Sequence, residues 1–274
     1  MVSWVITGSN RGIGLGFIRK LSSDPNNIMF ALTRSKTTST ALLVLESKQK
    51  NVHVLQADIT DVASLREVAT VVDNATGGTL DVLINNGAYL SPERGDWSLD
   101  MYEGNEDLLD EDCTNFFKVN ALGVIKTINV FLPLLRKSAE KSLAKVITIS
   151  APAGDLDFNI KTDLYYFAPY ALSKAAVNMV AAKYTARFKN ENILFLSLSP
   201  GFVDTMGDHR GANDVQKATY SKLIEQFQAG YPDWDGKILT PEESVTAMLE
   251  TVSKLTVKDS GAFISHYGDT KNWL

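Results

Sequence analysis

Apolar residues along this chain fall into short, nearly unbroken runs, separated by stretches in which they recur every three or four positions. The runs are Trp4 to Thr7, Ile28 to Thr33, Val52 to Gln56, Leu80 to Asn85, Lys145 to Ser150, Ile193 to Ser199 and Gly261 to Ser265. A run that is apolar at consecutive positions suits a strand covered on both faces, as in a parallel sheet with helices above and below. Helical spacing covers Gly14 to Ser22, Thr40 to Lys48, Val62 to Asp73, Asp112 to Arg136, Tyr170 to Lys189 and Pro241 to Leu255. The last of these opens on Thr240-Pro241-Glu242-Glu243, a Thr N-cap with Pro at the first helical position and Glu three residues after the cap. The alternation predicts an α/β fold, a Rossmann-type doubly wound parallel sheet of about seven strands. No repeat, charge block or low-complexity stretch divides residues 1–274, which predicts a single domain.

Two segments break the rhythm. Between Glu93 and Asp112 stand nine acidic residues and one basic one, Arg94, which reads as a solvated loop running into a helix start, where acids are favoured. From Phe202 to Gly236 the chain is polar and punctuated by aromatics, a length that suits a lid over a site.

Composition narrows the function. With 27 basic and 32 acidic side chains among 274 residues the formal net charge is -5, which argues against a nucleic-acid binder. No run approaches the roughly 20 consecutive apolar residues that span a bilayer, and the first residues resemble a buried strand rather than a signal peptide. A single cysteine, Cys113, suits a reducing compartment and excludes a Cys-based zinc site, so a cytoplasmic protein without a metal is expected. His53, His209 and His266 lack metal-ligand spacing and read as structural or surface residues, with His209 placed in the lid where it could meet a substrate.

After the first strand comes Thr7-Gly8-Ser9-Asn10-Arg11-Gly12-Ile13-Gly14, leading into a helix. Glycines there allow a tight turn and close backbone approach, so that a pyrophosphate can sit on the amides of the helix N-terminus. Dinucleotide preference follows from charge: the second strand ends in Thr33-Arg34, where an NAD binder places an acid, and Arg11 is a second cation in the turn. Two guanidiniums offer planar forks of donors to a 2'-phosphate, so NADP(H) is expected over NAD(H).

Tyr170-Ala171-Leu172-Ser173-Lys174 puts a phenol and an ammonium on one helical face. A nearby positive charge favours phenolate, and the spacing predicts a Tyr170 pKa drawn below about 10, toward working pH. Taken in order, the glycine turn, Asn85-Asn86-Gly87-Ala88, Asn120 in Lys118-Val119-Asn120-Ala121-Leu122-Gly123, the Tyr-Lys pair and Pro200-Gly201-Phe202-Val203-Asp204-Thr205 resemble the short-chain dehydrogenase/reductase family over essentially the whole chain. The likeness is nearest to sniffer-type carbonyl reductases and to fungal ketoreductases of the norsolorinic-acid kind, which implies secondary metabolism. That nearer likeness rests on Ser150-Ala151-Pro152, the stretch into Ala168-Pro169-Tyr170, and Asp204-Thr205-Met206-Gly207-Asp208.

The resemblance implies a set of roles. Tyr170 is the general acid of carbonyl reduction, Lys174 lowers its pKa and holds the nicotinamide ribose, and Asn120 positions Lys174 through a water. Ile13 contacts the pyrophosphate end, Asp58 the adenine, Asn86 the adenosine ribose region, and Val203 with Thr205 the carboxamide; Gly8, Asn10, Arg11, Gly12, Gly14, Arg34, Ile59, Gly87, Tyr170, Lys174, Pro200 and Gly201 complete the cofactor-binding set. The partners implied are a small carbonyl or alcohol substrate and a second copy of the chain, as homodimer or homotetramer through the helices from Asp112 and Tyr170.

One departure stands out, since the family's catalytic serine falls on Ala151. Ser150 can replace it only if the strand bends, because neighbouring strand residues point to opposite faces. The approach from Ala151 to Tyr170 is several residues longer than is usual in the family and brings Thr162, Tyr165 and Tyr166 as other hydroxyl donors. Two functions therefore remain: an NADPH-dependent reductase of a ketone or aldehyde, working in either direction, or a dinucleotide-binding sensor or scaffold that has lost its chemistry.

Overall fold

In the computed structural model, which describes residues 1–205 and 214–274, with side chains for 1–205 and 220–274, the apolar runs pair as parallel strands. They are β1 (Val2–Thr7), β2 (Asn27–Thr33), β3 (Val52–Gln56), β4 (Val82–Asn85), β5 (Ala144–Ile149), β6 (Ile193–Leu198) and β7 (Phe263–Ile264). Their order in the sheet is β3-β2-β1-β4-β5-β6-β7, so the strand order reverses between β1 and β4. Side-chain alternation divides the core into two layers. Trp4 and Ile6 face α1 (Gly12–Leu21) and α9 (Pro241–Lys254) with Phe17, Ile18, Val245 and Met248, while Val5 and Phe30 face α3 (Val62–Thr76) and α5 (Gly123–Ala139) with Val68, Ile128 and Phe131. The doubly wound sheet of about seven strands is thus as expected.

The long helix expected from Asp112 to Arg136 is three pieces: α4 (Glu106–Phe117), a π-helical turn at Lys118–Leu122, and α5. The periodicity runs through because a π-turn inserts residues without ending the helix; such bulges recur at functional sites. The run from Glu106 to Ala139 is, among the described residues, the one helix long and apolar enough by average composition to cross a bilayer, though no unbroken apolar run of that length occurs in it. Its apolar side is used in the core instead, through Phe116, Ala121, Val124, Phe131 and Leu135.

The acidic segment is only partly the solvated loop its charge suggests. Asp112 is 1% exposed and takes a bidentate pair from Arg94, Nε at 2.7 Å and a second guanidinium nitrogen at 2.9 Å, together with the Tyr102 hydroxyl at 2.8 Å. Burial opposes the Asp112 charge, but the hydrogen bonds from Arg94 and Tyr102 and the Arg94 charge outweigh it and hold the carboxyl below its usual range. The lone base in an acidic stretch is therefore the counter-ion of its one buried acid.

The remaining helices are α2 (Thr40–Lys48), α6 (Leu156–Lys161), α7 (Ala168–Phe188) and α8 (Asp214–Gly230). α6 and α8 leave little trace in the sequence because α6 is short and α8 lies in a stretch whose polar composition resembles a loop. They meet in an aromatic cluster in which Phe158, Leu164, Leu223, Phe227 and Trp273 are buried, with Phe202, Tyr231 and Trp234 packed against it. Leu239 N–H donates to the Phe202 carbonyl at 2.8 Å and Asp204 N–H to the Leu239 carbonyl at 2.9 Å, fastening the far end of the 202–236 segment beside its start.

Removing one partner of a buried ion pair leaves an uncompensated charge, so Arg94→Met should lower unfolding free energy by about 3 to 5 kcal/mol at neutral pH. A depressed carboxyl pKa contributes stability above its unfolded value, about 3.9, and loses it as pH falls through the folded value. Denaturant titrations of wild type and variant should therefore converge below about pH 4; a gap under about 1 kcal/mol at pH 7 would show that Asp112 does not depend on Arg94.

Candidate active site

The glycine turn leaves β1 at the reversal of strand order, the place where open α/β sheets bind ligands. Thr7, the last residue of β1, accepts the N–H groups of Asn86 and Gly87 on its hydroxyl at 3.0 and 2.9 Å. Asn86 Nδ2 donates in return to the carbonyls of Thr7 and Gly8, both at 3.0 Å. This close approach requires glycine. A Cβ on Gly8, whose φ is 66°, would stand 2.7 Å from Gly87 Cα, and one on Gly14 would stand 2.2 Å from the Gly8 carbonyl oxygen.

Arg11 is the extended N-cap of α1 and makes no side-chain cap, so its guanidinium is exposed beside the turn. Arg34, after β2, is exposed as well, and neither makes an ion pair among the described residues. Asp58 sits below its ordinary pKa: burial raises it, but the Thr60 N–H and Oγ1, both at 2.8 Å, and the Arg34 and Lys118 charges prevail. Ile59 is buried against Gly123 at the end of the π-turn. Across the crevice, the Pro200 carbonyl accepts Ser244 Oγ at 2.6 Å, and Thr205 lies against the turn, its Cβ 3.3 Å from where a Gly12 Cβ would be. Asn10 stands in the turn and Ile13 in the first turn of α1, while Gly201 takes a φ of 83° and Val203 pairs with Leu239. An open cradle, two exposed cations and no carboxylate at the end of β2 fit a phosphorylated dinucleotide.

Tyr170 and Lys174 lie in the first turns of α7, with Nζ 5.5 Å from the phenol ring centroid. The electrostatic expectation for this pair fails. Burial, not the ammonium, dominates Tyr170 and pushes its pKa above the ordinary value, so the phenol keeps its proton. Burial also lowers Lys174 to about 8, and its Nζ donates to the Ile149 carbonyl at 2.7 Å. Phe116, fully buried, stands edge-on to Tyr170 at 6.3 Å, with the half-buried Tyr89 edge-on to Phe116 at 5.0 Å, so the Tyr170 ring packs on the core from one side.

Asn120 sits in the π-turn. Its Oδ1 accepts the Tyr89 N–H at 2.7 Å, while Nδ2 donates to the Tyr89 carbonyl at 3.2 Å and to Ser173 Oγ at 2.9 Å. Ser173 Oγ donates to the Tyr170 carbonyl at 2.7 Å, so Asn120 is linked to the Tyr170 turn and has no direct bond to Lys174. Sequence reasoning misses Tyr89 and Ser173. Ser173, three residues after Tyr170 on the same helix, has a spacing signal; Tyr89 acts through backbone and has none.

Ala151 is extended and nearly buried. Ser150 Oγ donates to Asn178 Oδ1 at 2.8 Å, one turn beyond Lys174, and Asn178 Nδ2 donates to the Gly154 carbonyl at 3.2 Å. The strand does not bend to offer Ser150 to the crevice; its hydroxyl braces the turn after β5. Thr162 Oγ1 is likewise engaged, donating to the Phe158 carbonyl at 2.7 Å. Tyr165 and Tyr166 bond to each other and to Lys222. His53 stacks on Phe30, His266 is fully buried, and His209 lies outside the described residues.

Comparison with known proteins places these features in a family. Residues 3–215 match the short chain dehydrogenase family. The short-chain dehydrogenase/reductase atnB of Arthrinium sp is 42% identical, with all of both chains covered. An NADPH-bound carbonyl reductase from chicken fatty liver is 30% identical, with a TM-score of 0.79 over 99% of this chain and 98% of its own. The carbonyl reductase Sniffer of D. melanogaster shares the fold at TM-score 0.78 and 24% identity, over all of both chains. On the extent of that match and the identity to atnB, the chain belongs to the short-chain dehydrogenase/reductase family of oxidoreductases.

Proposed function

We propose that this protein is an NADP(H)-dependent reductase that converts a ketone or aldehyde to an alcohol. The observation that carries the reading is Tyr170, whose protonated phenol is half-buried beside Lys174 and has no hydrogen-bond partner among the described residues. NADPH bound along the glycine turn supplies the hydride. Gly8, Asn10, Gly12, Ile13 and Gly14 hold the pyrophosphate end, Arg11 and Arg34 the 2'-phosphate, Asp58, Ile59, Asn86 and Gly87 the adenosine end, and Pro200, Gly201, Val203 and Thr205 the carboxamide end.

As charge builds on the substrate oxygen, Tyr170 passes its proton to it. A phenol whose pKa is raised by burial is in the right state to donate, and the Lys174 ammonium, charged at neutral pH with a pKa near 8, stabilises the phenolate left behind. Asn120 and Ser173 hold the turn that carries Tyr170. The half-buried ring of Tyr89, packed on the core ring of Phe116, supports an apolar or flat substrate. Exposed Leu172 and Met179 on α7 support self-association as a dimer or tetramer.

A second reading, a dinucleotide sensor without catalysis, is favoured by Ala151 alone. Tyr170→Phe separates the two: carbonyl reduction, followed as loss of NADPH fluorescence over a panel of ketones and aldehydes, should fall to a few per cent or less while NADPH still binds. Unchanged turnover in the variant would end the proposal, and tight NADPH binding without turnover in the wild type would establish the sensor.

Charge reversal at Arg34 should raise the Kd for NADPH at least about tenfold more than that for NADH; equal losses would remove the 2'-phosphate role. Ala151→Ser should raise kcat about tenfold or more, since one oxyanion donor is worth about 10² to 10³ in kcat where it has been removed. A variant no faster than wild type would mean that another group already supplies that bond.

A further inference from the structure

Tyr165 and Tyr166, in the link between α6 and α7 just before the Tyr170 turn, stack with ring centroids 4.2 Å apart. Lys222 of α8 reaches both, Nζ donating to the Tyr165 hydroxyl at 2.8 Å and the Tyr166 hydroxyl at 2.7 Å. The Tyr165 hydroxyl donates to that of Tyr166 at 2.9 Å. One turn along α8, Gln226 Nε2 donates to the Asp163 carbonyl at 2.8 Å, so the clasp has two points. The α6–α7 link follows β5 and α8 follows β6, its parallel neighbour. The clasp therefore stands on segments that leave the carboxyl ends of adjacent strands, the side of the sheet on which α7 begins with Tyr170 four residues after Tyr166.

A count of hydrogens gives its chemistry. The three bonds within the clasp use one phenol hydrogen and two ammonium hydrogens, and the Tyr166 oxygen accepts twice. The other phenol hydrogen and the third ammonium hydrogen have no acceptor among the described residues. Such a group is rich in donors, carries a positive charge and is reachable, with Tyr165 48% exposed. The hydrogen bond from Lys222, together with its charge, draws the Tyr165 phenol below its usual pKa, while Lys222 is raised and stays charged. Asp100 is the carboxylate that faces Tyr165, and its Oδ1 is occupied by the Ser98 hydroxyl. A direct contact to Lys222 outweighs that more distant repulsion.

We propose that Tyr165, Tyr166 and Lys222 form a subsite for an oxyanion of the substrate, a carboxylate or an ionised phenol or enol set apart from the carbon that is reduced. The proposal rests on the reductase reading for what its ligand is, and it has a readout of its own. 4-Acetylbenzoate and its methyl ester differ in that one charge, and each is titrated by calorimetry into the protein saturated with NADPH, with turnover followed in parallel.

The wild type should bind the acid about tenfold tighter than the ester, the effect of one charge-assisted contact. Lys222→Met and the Tyr165→Phe/Tyr166→Phe pair should bring the acid down to the level of the ester, while Lys222→Arg keeps most of the preference; NADPH affinity checks that each variant is folded. Equal binding of acid and ester by the wild type, binding of neither, or a preference that survives Lys222→Met overturns the subsite even where both ketones are reduced. Binding of the acid that depends on Lys222, with no reduction of either compound, supports the subsite and counts against the reductase reading instead.

Discussion

Everything at the crevice depends on the seam between β1 and β4. Strand order reverses there, so the segments leaving the two strands diverge, and the gap above their ends has to be kept open by something other than packing. Thr7 and Asn86 do this with side chains: one hydroxyl takes two backbone N–H groups from the far strand, and one amide returns two bonds to the near strand. The exchange fixes the height of the glycine turn against the Asn86-Gly87 turn, and only residues without a Cβ fit between them. With the turn so placed, α1 begins at Gly12 and presents its N-terminal amides along the crevice.

The Tyr170 side is built outward from the same seam. The chain leaving β4 reaches Tyr89, whose backbone is held in both directions by the Asn120 side chain. Asn120 can do so only because the π-turn carries it out of step with α4 and α5, and its remaining amide hydrogen goes to Ser173 and thence to the turn of Tyr170. A short line of hydrogen bonds thus joins the loop after β4 to the turn that carries Tyr170. Net hydrogen-bond energies are small, about 1 kcal/mol each, and the value of the line lies in geometry, since the phenol is positioned from two elements at once.

The features legible in the sequence are those whose signal is local. The alternation of apolar runs, the glycines of the first turn, the Thr240 capping box and the Tyr170-Lys174 spacing all act within a few residues. The π-turn leaves no mark because its residues are as apolar as the helix around it. The protonation of Tyr170 is misread for a related reason: spacing reveals that an ammonium is near but not how much water has been removed, and here desolvation moves both groups in directions opposite to their mutual attraction. The pairing of Arg94 with Asp112 is hidden too, because a charge count cannot tell which carboxylate of nine is buried.

The use of the hydroxyls around Ala151 follows from these constraints. Lys174 is anchored on the last carbonyl of β5, so the residues after it must turn sharply and stay close to α7. The turn is braced by Ser150 and Asn178, and it is so tight that a Cβ on Gly154 would meet the Lys174 carbonyl carbon at 2.8 Å. A hydroxyl committed to holding that turn cannot also serve a substrate with its single hydrogen. The longer approach from Asp155 to Phe167 then brings further polar hydrogens toward the mouth of the crevice, carried by Tyr165 and Tyr166 and locked by a lysine from α8. Donors are thus scarce at the base of the crevice, where Ala151 offers none, and plentiful at its rim, which makes the rim the part of this site where selectivity can be set.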